Sequence, residues 1–557
     1  MIIFLKKCKK EIIFFIFSNL VWAVIGISLA YLLGFIMDTA INNTPNRIII
    51  IIMGACMYIA MDAMFEFLSN YSEILLRTRI SMLIRDALVR RIQRSSIEEK
   101  EENGDAYYLS MFNNNVTEID NNYIHGILMV VFQVFSLVFA LAATTIIQPI
   151  MTIIILLLCI LPIFVPKLLK TELENINREA VAAKATYLNF LNEWLEGFLS
   201  IKIFNSENVV NTYHDKQNRQ TTKTMQKNSR WRRFSMSLSY GMGNMVVVGA
   251  WAVGAVFAVK GSITIPELVE LTTLMNMVAG PFQIISEYYA GIVSGRAVAK
   301  DLLDYIGSEN DNQAFNSSES SIEKIELKNI DVVRDQVKLL NGFNFAVKNN
   351  MKIAVIGRSG SGKTTALKAI AGIVNINSGN ICINDYEVNN KGGLTHKDII
   401  YLPQHTVVFS ASIKENISMF KETTEEEVIN AIRLSGLSEW FSNLGNDIYK
   451  KIEKSSINLS GGELRRLEFG RILISNPKVI LFDEPTSGLD FQNSQNIMSQ
   501  ICSMKDKLIV VSTHDVSKCN LKRFDYIYVV DYGNVIAEGA PCDIIRGEAY
   551  RLLRKDA

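Results

Sequence analysis

Apolar residues dominate the chain up to about residue 295, in long runs separated by basic stretches. Six runs, at about 12–37, 48–68, 123–147, 150–168, 236–259 and 268–290, read as membrane-crossing helices, since a hydrocarbon core of ~30 Å needs ~20 apolar residues in a helix. The third and fourth are divided only by Gln148 and Pro149, the fifth and sixth by Lys260-Gly261-Ser262 and Pro266. The intervening stretches 70–98 and 169–233 are poor in Gly and Pro and keep helical character. The membrane helices are therefore expected to run on well beyond the bilayer. After about residue 305 the pattern changes. Residues 306–321 are polar and linker-like, and from Ile322 onward short β-branched runs, at 352–356, 478–482 and 507–512, alternate with helical segments. That alternation predicts a largely parallel sheet in a compact α/β domain. The expected organisation is a helical membrane domain over 1–305, a linker over 306–321 and an α/β domain over 322–557.

Charge placement tests the topology. Lys6, Lys7, Lys9 and Lys10 precede the first span; Arg77, Arg79, Arg85, Arg90, Arg91 and Arg94 lie between spans two and three; Arg178, Lys184, Lys202, Lys216, Arg219, Lys223, Lys227, Arg230, Arg232 and Arg233 lie between spans four and five. The other connections carry only Arg47, no charge, and Lys260. Six spans put every basic segment on one side with both termini cytoplasmic, as positive-inside bias requires. Lys+Arg 57 against Asp+Glu 56 leaves a charge of +1, which excludes a globally basic nucleic-acid binder. The mean hydropathy of +0.18 fits a mixture of membrane and soluble parts. Seven cysteines are scattered without C-x-x-C spacing and read as reduced bystanders.

The chemistry lies in the second half. Gly357-Arg-Ser-Gly-Ser-Gly-Lys363-Thr364-Thr365 matches G-x-x-x-x-G-K-[ST], follows a β-run and opens a helical segment. Gly357, Ser359, Gly360 and Gly362 form a loop whose backbone N–H groups turn toward phosphate, helped by the helix N-terminus. Lys363 is expected to reach the β- and γ-phosphates, with Thr364 on Mg²⁺ and Thr365 beside it. Val479-Ile-Leu-Phe-Asp483-Glu484 is an apolar run ending in two carboxylates, Asp483 for the metal and Glu484 to polarise an attacking water. Leu459-Ser460-Gly461-Gly462-Glu463 precedes a helix carrying Arg465, Arg466 and Arg471, where Ser460 suits an N-cap.

Taken together, these motifs make the chain resemble the ATP-binding-cassette (ABC) transporters. The resemblance extends to Gln404 in Tyr401-Leu-Pro-Gln404, Asp490 in Ser487-Gly-Leu-Asp490, and His514 in Val511-Ser-Thr-His514. It implies that Gln404 senses Mg²⁺, that His514 contacts the γ-phosphate, and that Ser460–Gly462 closes over a nucleotide held by a second domain. Where the family places an aromatic residue under adenine, this chain has Val333 or Arg334, and Arg334 could stack through its guanidinium plane. Glu463 stands where glutamine is commoner, and Gly488 where alanine often stands. In the membrane half, Glu102-Asn-Gly-Asp105 and the segment Glu196–Glu207 resemble the intracellular loops of exporters.

What the resemblance implies is a half-transporter in a bacterial cytoplasmic membrane. It would have six membrane helices with long cytoplasmic extensions and a P-loop ATP-binding cassette, and would pair with a second half as homodimer or heterodimer. It would use ATP and Mg²⁺ to move an amphipathic cargo (drug, lipid or peptide) out. An importer on the same fold, or an ATP-gated regulator without turnover, remain the alternatives. Asp62 and Glu66, on one helical face of the second span, and Glu287 in the sixth are either cargo-cavity or structural residues. The lysine cluster runs directly into the first apolar stretch, so no leader-cleaving segment is expected.

Overall fold

The computed structural model describes residues 1–159, 161–308, 322–334, 336–384, 386–388, 398–404, 406–452 and 459–555. The chain forms two compact units, one of residues 1–91 and 107–308, the other of residues 92–106 and 309–557.

The first unit is helical. Its main helices are Lys9–Ile41, Ile48–Gln93, His125–Ile147, Pro149–Cys159, Leu161–Glu196, Glu207–Val259 and Ile265–Gly307. Ile48–Gln93 has 46 residues and Glu207–Val259 has 53, which at ~1.5 Å per residue far exceeds a hydrocarbon core. The continuations expected over 70–98 and 169–233 are present as helix, broken at residues 94–96 and around Gly197 and Asn205. Four stretches among the described residues are long and apolar enough to cross a membrane: Lys9–Ile41, Pro45–Gln93, Ile97–Ile147 and Glu207–Val259. The expected count of six is not confirmed. The expected span 150–168 is covered by Pro149–Cys159 and the start of Leu161–Glu196, on either side of residue 160, which lies outside the described residues, and the remaining expected span lies in Ile265–Gly307, which contains Pro281. The side chain of Glu287 lies outside the described residues, as do linker residues 309–321.

Apolar side chains in this unit point both ways. Ile49, Ile50, Ile52, Met53, Met57, Ile59 and Phe67 are exposed along one helix, as lipid-facing residues are. Ala140, Met151, Val246, Ala250, Leu271, Met275 and Val278 form a buried interior. The indole of Trp22 donates to Asp62 at 3.1 Å, which gives this candidate carboxylate an internal partner, while Glu66 is exposed. Helix Ile97–Ser110 is broken at Gly104, whose φ of 71° and ψ of 164° are not helical. The turn before the break, within residues 92–106, belongs to the second unit.

That second unit is built on two sheets. β1 (Lys324–Arg334), β2 (Val337–Lys348), β4 (Ser378–Ile383) and β5 (Tyr386–Val388) form an antiparallel sheet of order β2-β1-β4-β5. β3 (Lys352–Ile356), β6 (Ile399–Leu402), β7 (Val479–Asp483), β8 (Leu508–Thr513), β9 (Tyr526–Asp531) and β10 (Asn534–Gly539) form the other, of order β10-β9-β3-β8-β7-β6. In this six-stranded sheet β9, β3, β8, β7 and β6 run parallel and β10 antiparallel. Its central strands are buried on both faces, which explains their unbroken apolar runs. Along β3, Ile353 and Val355 enter one core, Ala354 and Ile356 the other. Since β3, β7 and β8 are parallel neighbours, their C-terminal ends bring residues 357, 483 and 514 to one edge, where open α/β sheets bind ligands.

Several helices of this unit begin with side-chain caps. Ser412 with Glu415, Thr424 with Glu427 and Ser460 with Glu463 form capping boxes, and Asp490 caps Phe491–Ser503. Backbone N–H groups hold the carboxyls of Glu415, Glu427 and Asp490 below the ordinary range, with help from neighbouring side chains. A depressed native pKa gives stability above the unfolded value, of about 4, that is lost as pH falls through the native value. The expected outcome is a melting temperature, followed by tryptophan fluorescence, that drops between about pH 5 and about pH 3. The Glu415→Gln/Glu427→Gln protein should show a shallower drop, and an equally steep one would contradict the assignment.

Candidate nucleotide site

β3 ends at Ile356 and the chain turns through residues 357–362 into helix Lys363–Ile370. Two glycines are demanded by this turn. A Cβ on Gly357 would lie 2.2 Å from the carbonyl oxygen of Val530, and Gly362 has φ of 103° with a would-be Cβ 2.9 Å from Leu339 O. Ser359 and Gly360 are exposed at the crest of the loop, and Ser361 Oγ is buried with no hydrogen-bond partner among the described residues. Thr365 is half-buried on the first helical turn.

Lys363 is 4% exposed. Its Nζ donates to the carbonyls of Gly357 at 3.0 Å and Arg358 at 2.7 Å, with His514 Nδ1 3.4 Å away. Burial pushes this ammonium below its ordinary pKa, and Glu484 and Asp483 pull it back up. Asp483, at the end of β7, accepts hydrogen bonds from three hydroxyls: Thr364 at 3.1 Å, Ser512 at 2.6 Å and Tyr401 at 2.9 Å. Burial, then Asp483 itself, raise the Tyr401 phenol well above its usual range, so it remains a donor.

Glu484 sits one residue further, with φ of 48°. Its N–H donates to Ser512 Oγ at 3.0 Å. One carboxylate oxygen accepts from Gln404 Nε2 at 3.2 Å and the other meets His514 Nε2. Gln404 also donates to Ser487 at 3.1 Å. Seven of the residues singled out by sequence, Gly357, Lys363, Thr364, Gln404, Asp483, Glu484 and His514, thus meet at one edge of the sheet.

Ser460, Gly461, Gly462 and Asp490 gather separately. Ser460 caps Gly461–Ser475. A Cβ on Gly461 would lie 2.9 Å from Leu489, and one on Gly462 3.4 Å from Asn493, whose N–H donates to Asp490 at 2.9 Å. The buried Arg465, paired with Glu468 at 2.7 Å, connects the two groups by donating to the carbonyls of Pro403 at 3.0 Å and Gln404 at 2.5 Å. Arg334 ends β1 and faces Glu101 at 3.5 Å.

Sequence reasoning assigned no role to Tyr401, Ser512, Arg465 or Glu101. Tyr401 was visible only as a residue three positions before Gln404. Ser512 lies with Thr513 at the end of an otherwise apolar strand just before His514, where a buried hydroxyl is itself a signal.

Residues 12–282 match the profile of the ABC transporter transmembrane region, and residues 340–487 a second profile described as ABC transporter. The chain belongs to the ABC transporter family. Among relatives of this ABC transporter, a candidate multidrug export ATP-binding/permease protein of Staphylococcus aureus is 24% identical over 97% of this chain and 96% of that protein. A candidate export ATP-binding/permease protein of Rickettsia bellii is 28% identical over 58% of this chain and 56% of its own length. The solved structure of a bacterial Atm1-family ABC exporter with ATP bound shares the fold, with a TM-score of 0.80 at 17% identity, covering 99% of this chain and 98% of that one.

The glycine positions give a direct check. Replacing Gly357 with Ala forces the added methyl against the Val530 carbonyl. ATP affinity, measured by displacement of a fluorescent nucleotide, should fall at least about tenfold, ~1.4 kcal/mol. Unchanged affinity would show that the loop does not hold the observed conformation when it binds.

Proposed function

We propose that this chain is one half of an ATP-driven exporter of amphipathic cargo, working as a dimer in a bacterial cytoplasmic membrane. Both termini and the ATP-binding domain are cytoplasmic in this reading. The second half is another copy of the chain or a sister chain, and nucleic acid has no part. The membrane domain is taken as 1–305, the linker as 306–321 and the ATPase domain as 322–557. The observation that carries the reading is the convergence of Gln404 and His514 on Glu484, beside Lys363 and Asp483.

The residues fit a magnesium-bound triphosphate. The loop offers inward backbone around a position a Cβ would block at Gly357, an unpaired buried hydroxyl at Ser361, and the hydroxyl–carboxylate set of Thr364 and Asp483. Mg²⁺, held by Thr364, Asp483 and Gln404, would neutralise charge on the β- and γ-phosphates. Lys363 binds the same phosphates through its buried ammonium. Glu484 orients and polarises the attacking water, and His514 holds the γ-phosphate side. For Glu484 to act, its carboxylate must exchange Gln404 and His514 for that water.

Ser460–Gly462 and Asp490 face a nucleotide held by the other half. Their grouping with one another, through Leu489 and Asn493, supports that assignment. Each nucleotide then bridges two chains, and its binding favours the closed dimer by its higher affinity for that state. The long helical extensions carry closure to the membrane segments, so that hydrolysis is coupled to translocation.

Removing a catalytic base costs about 100-fold or more in rate. Glu484→Gln should therefore lose ATPase activity by about that factor while still binding ATP. ATP-driven uptake of an amphipathic dye into inside-out vesicles should vanish with it. Undiminished hydrolysis in the variant, or dye movement in the opposite direction in the wild type, would refute the reading.

A further inference from the structure

The helical unit holds a cavity of about 610 Å³ between the end of helix Lys9–Ile41 and the start of helix Ile265–Gly307. That volume lies within the ~300–1,000 Å³ of small-molecule sites. Tyr31, Phe35, Asp38 and Asn42 line it from the first helix, at the spacing of one helical face. Ile265, Pro266 and Glu270 line it from the second. Two aromatic rings and two carboxylates therefore border one space, among apolar side chains.

The acids around this space differ in their partners. Asp38 pairs with Arg47 at 2.9 Å and accepts from Asn42 at 2.7 Å. Glu267 accepts from the Thr264 N–H at 2.6 Å, in the capping box that opens the second helix. Glu270 accepts no hydrogen bond and forms no ion pair among the described residues. Its carboxylate lies against Gly34, where a Cβ would come within 2.1 Å of Oε1. Among the described residues no Lys or Arg lines the cavity, so this carboxylate is left without a counter-ion. The C-terminal end of Lys9–Ile41 also favours a cation, whereas the positive end of the second helix is met by Glu267. The Arg47 guanidinium already lies 5.6 Å from the Phe35 ring centre, which leaves Tyr31 as the free ring. An unpaired carboxylate at membrane depth is costly until an opposite charge replaces the water it has lost. An aromatic face attracts the same partner through its quadrupole.

We infer that this cavity is a binding site for an organic cation, an ammonium carried on an apolar body, with Glu270 as its counter-ion and Tyr31 as its aromatic wall. Its place in transport rests on the exporter reading above. In that reading the cavity lies at the outer end of the membrane domain and holds cargo before release.

The test uses the full-length protein in neutral detergent and the permanently cationic dye ethidium, followed by fluorescence anisotropy. The wild type should bind the dye, and Glu270→Gln should weaken binding by about tenfold or more. Gly34→Ala, which keeps Glu270 but drives its carboxylate aside, should weaken it similarly. Glu270→Asp, which keeps the charge, should recover most of the affinity. Glu66→Gln, at an exposed acid of another helix, should change nothing. Melting curves identify the variants that remain folded. Displacement of the dye by phosphatidylethanolamine would mark a lipid as the source of the ammonium, and resistance to it a soluble amphipath, each upholding the site. A wild type that did not bind, unchanged affinity in Glu270→Gln, or a loss in folded Glu270→Asp as large as in Glu270→Gln would overturn the inference. ATP-driven ethidium uptake into inside-out vesicles separates it from the reading beneath it. Wild-type uptake undiminished in Glu270→Gln would overturn the inference and spare the exporter. Binding as expected, with no ATP-driven uptake in the wild type, would remove the exporter reading and spare the site.

Discussion

An ammonium taken out of water needs compensation, and at the nucleotide site Lys363 receives it from two backbone carbonyls. Effective desolvation of a buried ion costs several kcal/mol, while a hydrogen bond to a charged group returns about 1.5–3 kcal/mol. Carbonyls alone leave Lys363 under-compensated, which is why burial pushes its pKa down. Asp483 is engaged by three hydroxyls and Glu484 by Gln404 and His514. In the proposed reaction the counter-charge comes from the triphosphate, which makes the loop a receptor for anions before it is part of a catalyst.

The same arithmetic explains the role proposed for pairing. In the proposed reading a single chain supplies the phosphate ligands, the metal ligands and the base, gathered on one sheet edge. It places Ser460–Gly462 and Asp490 in a second cluster, tied to the first through Arg465 and the Pro403–Gln404 backbone. Gln404 lies at the crossing of these elements, bonded through its side chain to Glu484 and through its carbonyl to Arg465. A change at the nucleotide that frees Glu484 must also break its bond to the Gln404 side chain. This gives Glu484 and the neighbouring helix a shared element.

Much of the site was legible in sequence because its motifs are local. A glycine loop, a strand ending in Asp-Glu and a strand followed by His each sit on a few consecutive residues, and the parallel order of β3, β7 and β8 brings their ends together. The contacts that escaped are long-range ones. Tyr401 reaches Asp483 across 82 positions and Lys368 reaches Glu101 across 267, and no periodicity encodes either. Arg334 was legible as a departure from an aromatic position, but its ion pair with Glu101 was not. In the membrane half, length and apolarity identified the helices and their extensions. They did not establish the span count: four stretches among the described residues are long and apolar enough to cross a membrane, and Ile265–Gly307, which contains Pro281, is not among them.

The central claim is that one triphosphate is gripped by two chains. Hydrogen exchange on the full-length protein carrying Glu484→Gln, with and without Mg-ATP, tests it most directly. The account predicts protection at two separate places on ATP addition, the loop 357–365 and the segment 460–462, with both protections lost on dilution to monomer. Protection confined to 357–365 at every protein concentration would contradict it.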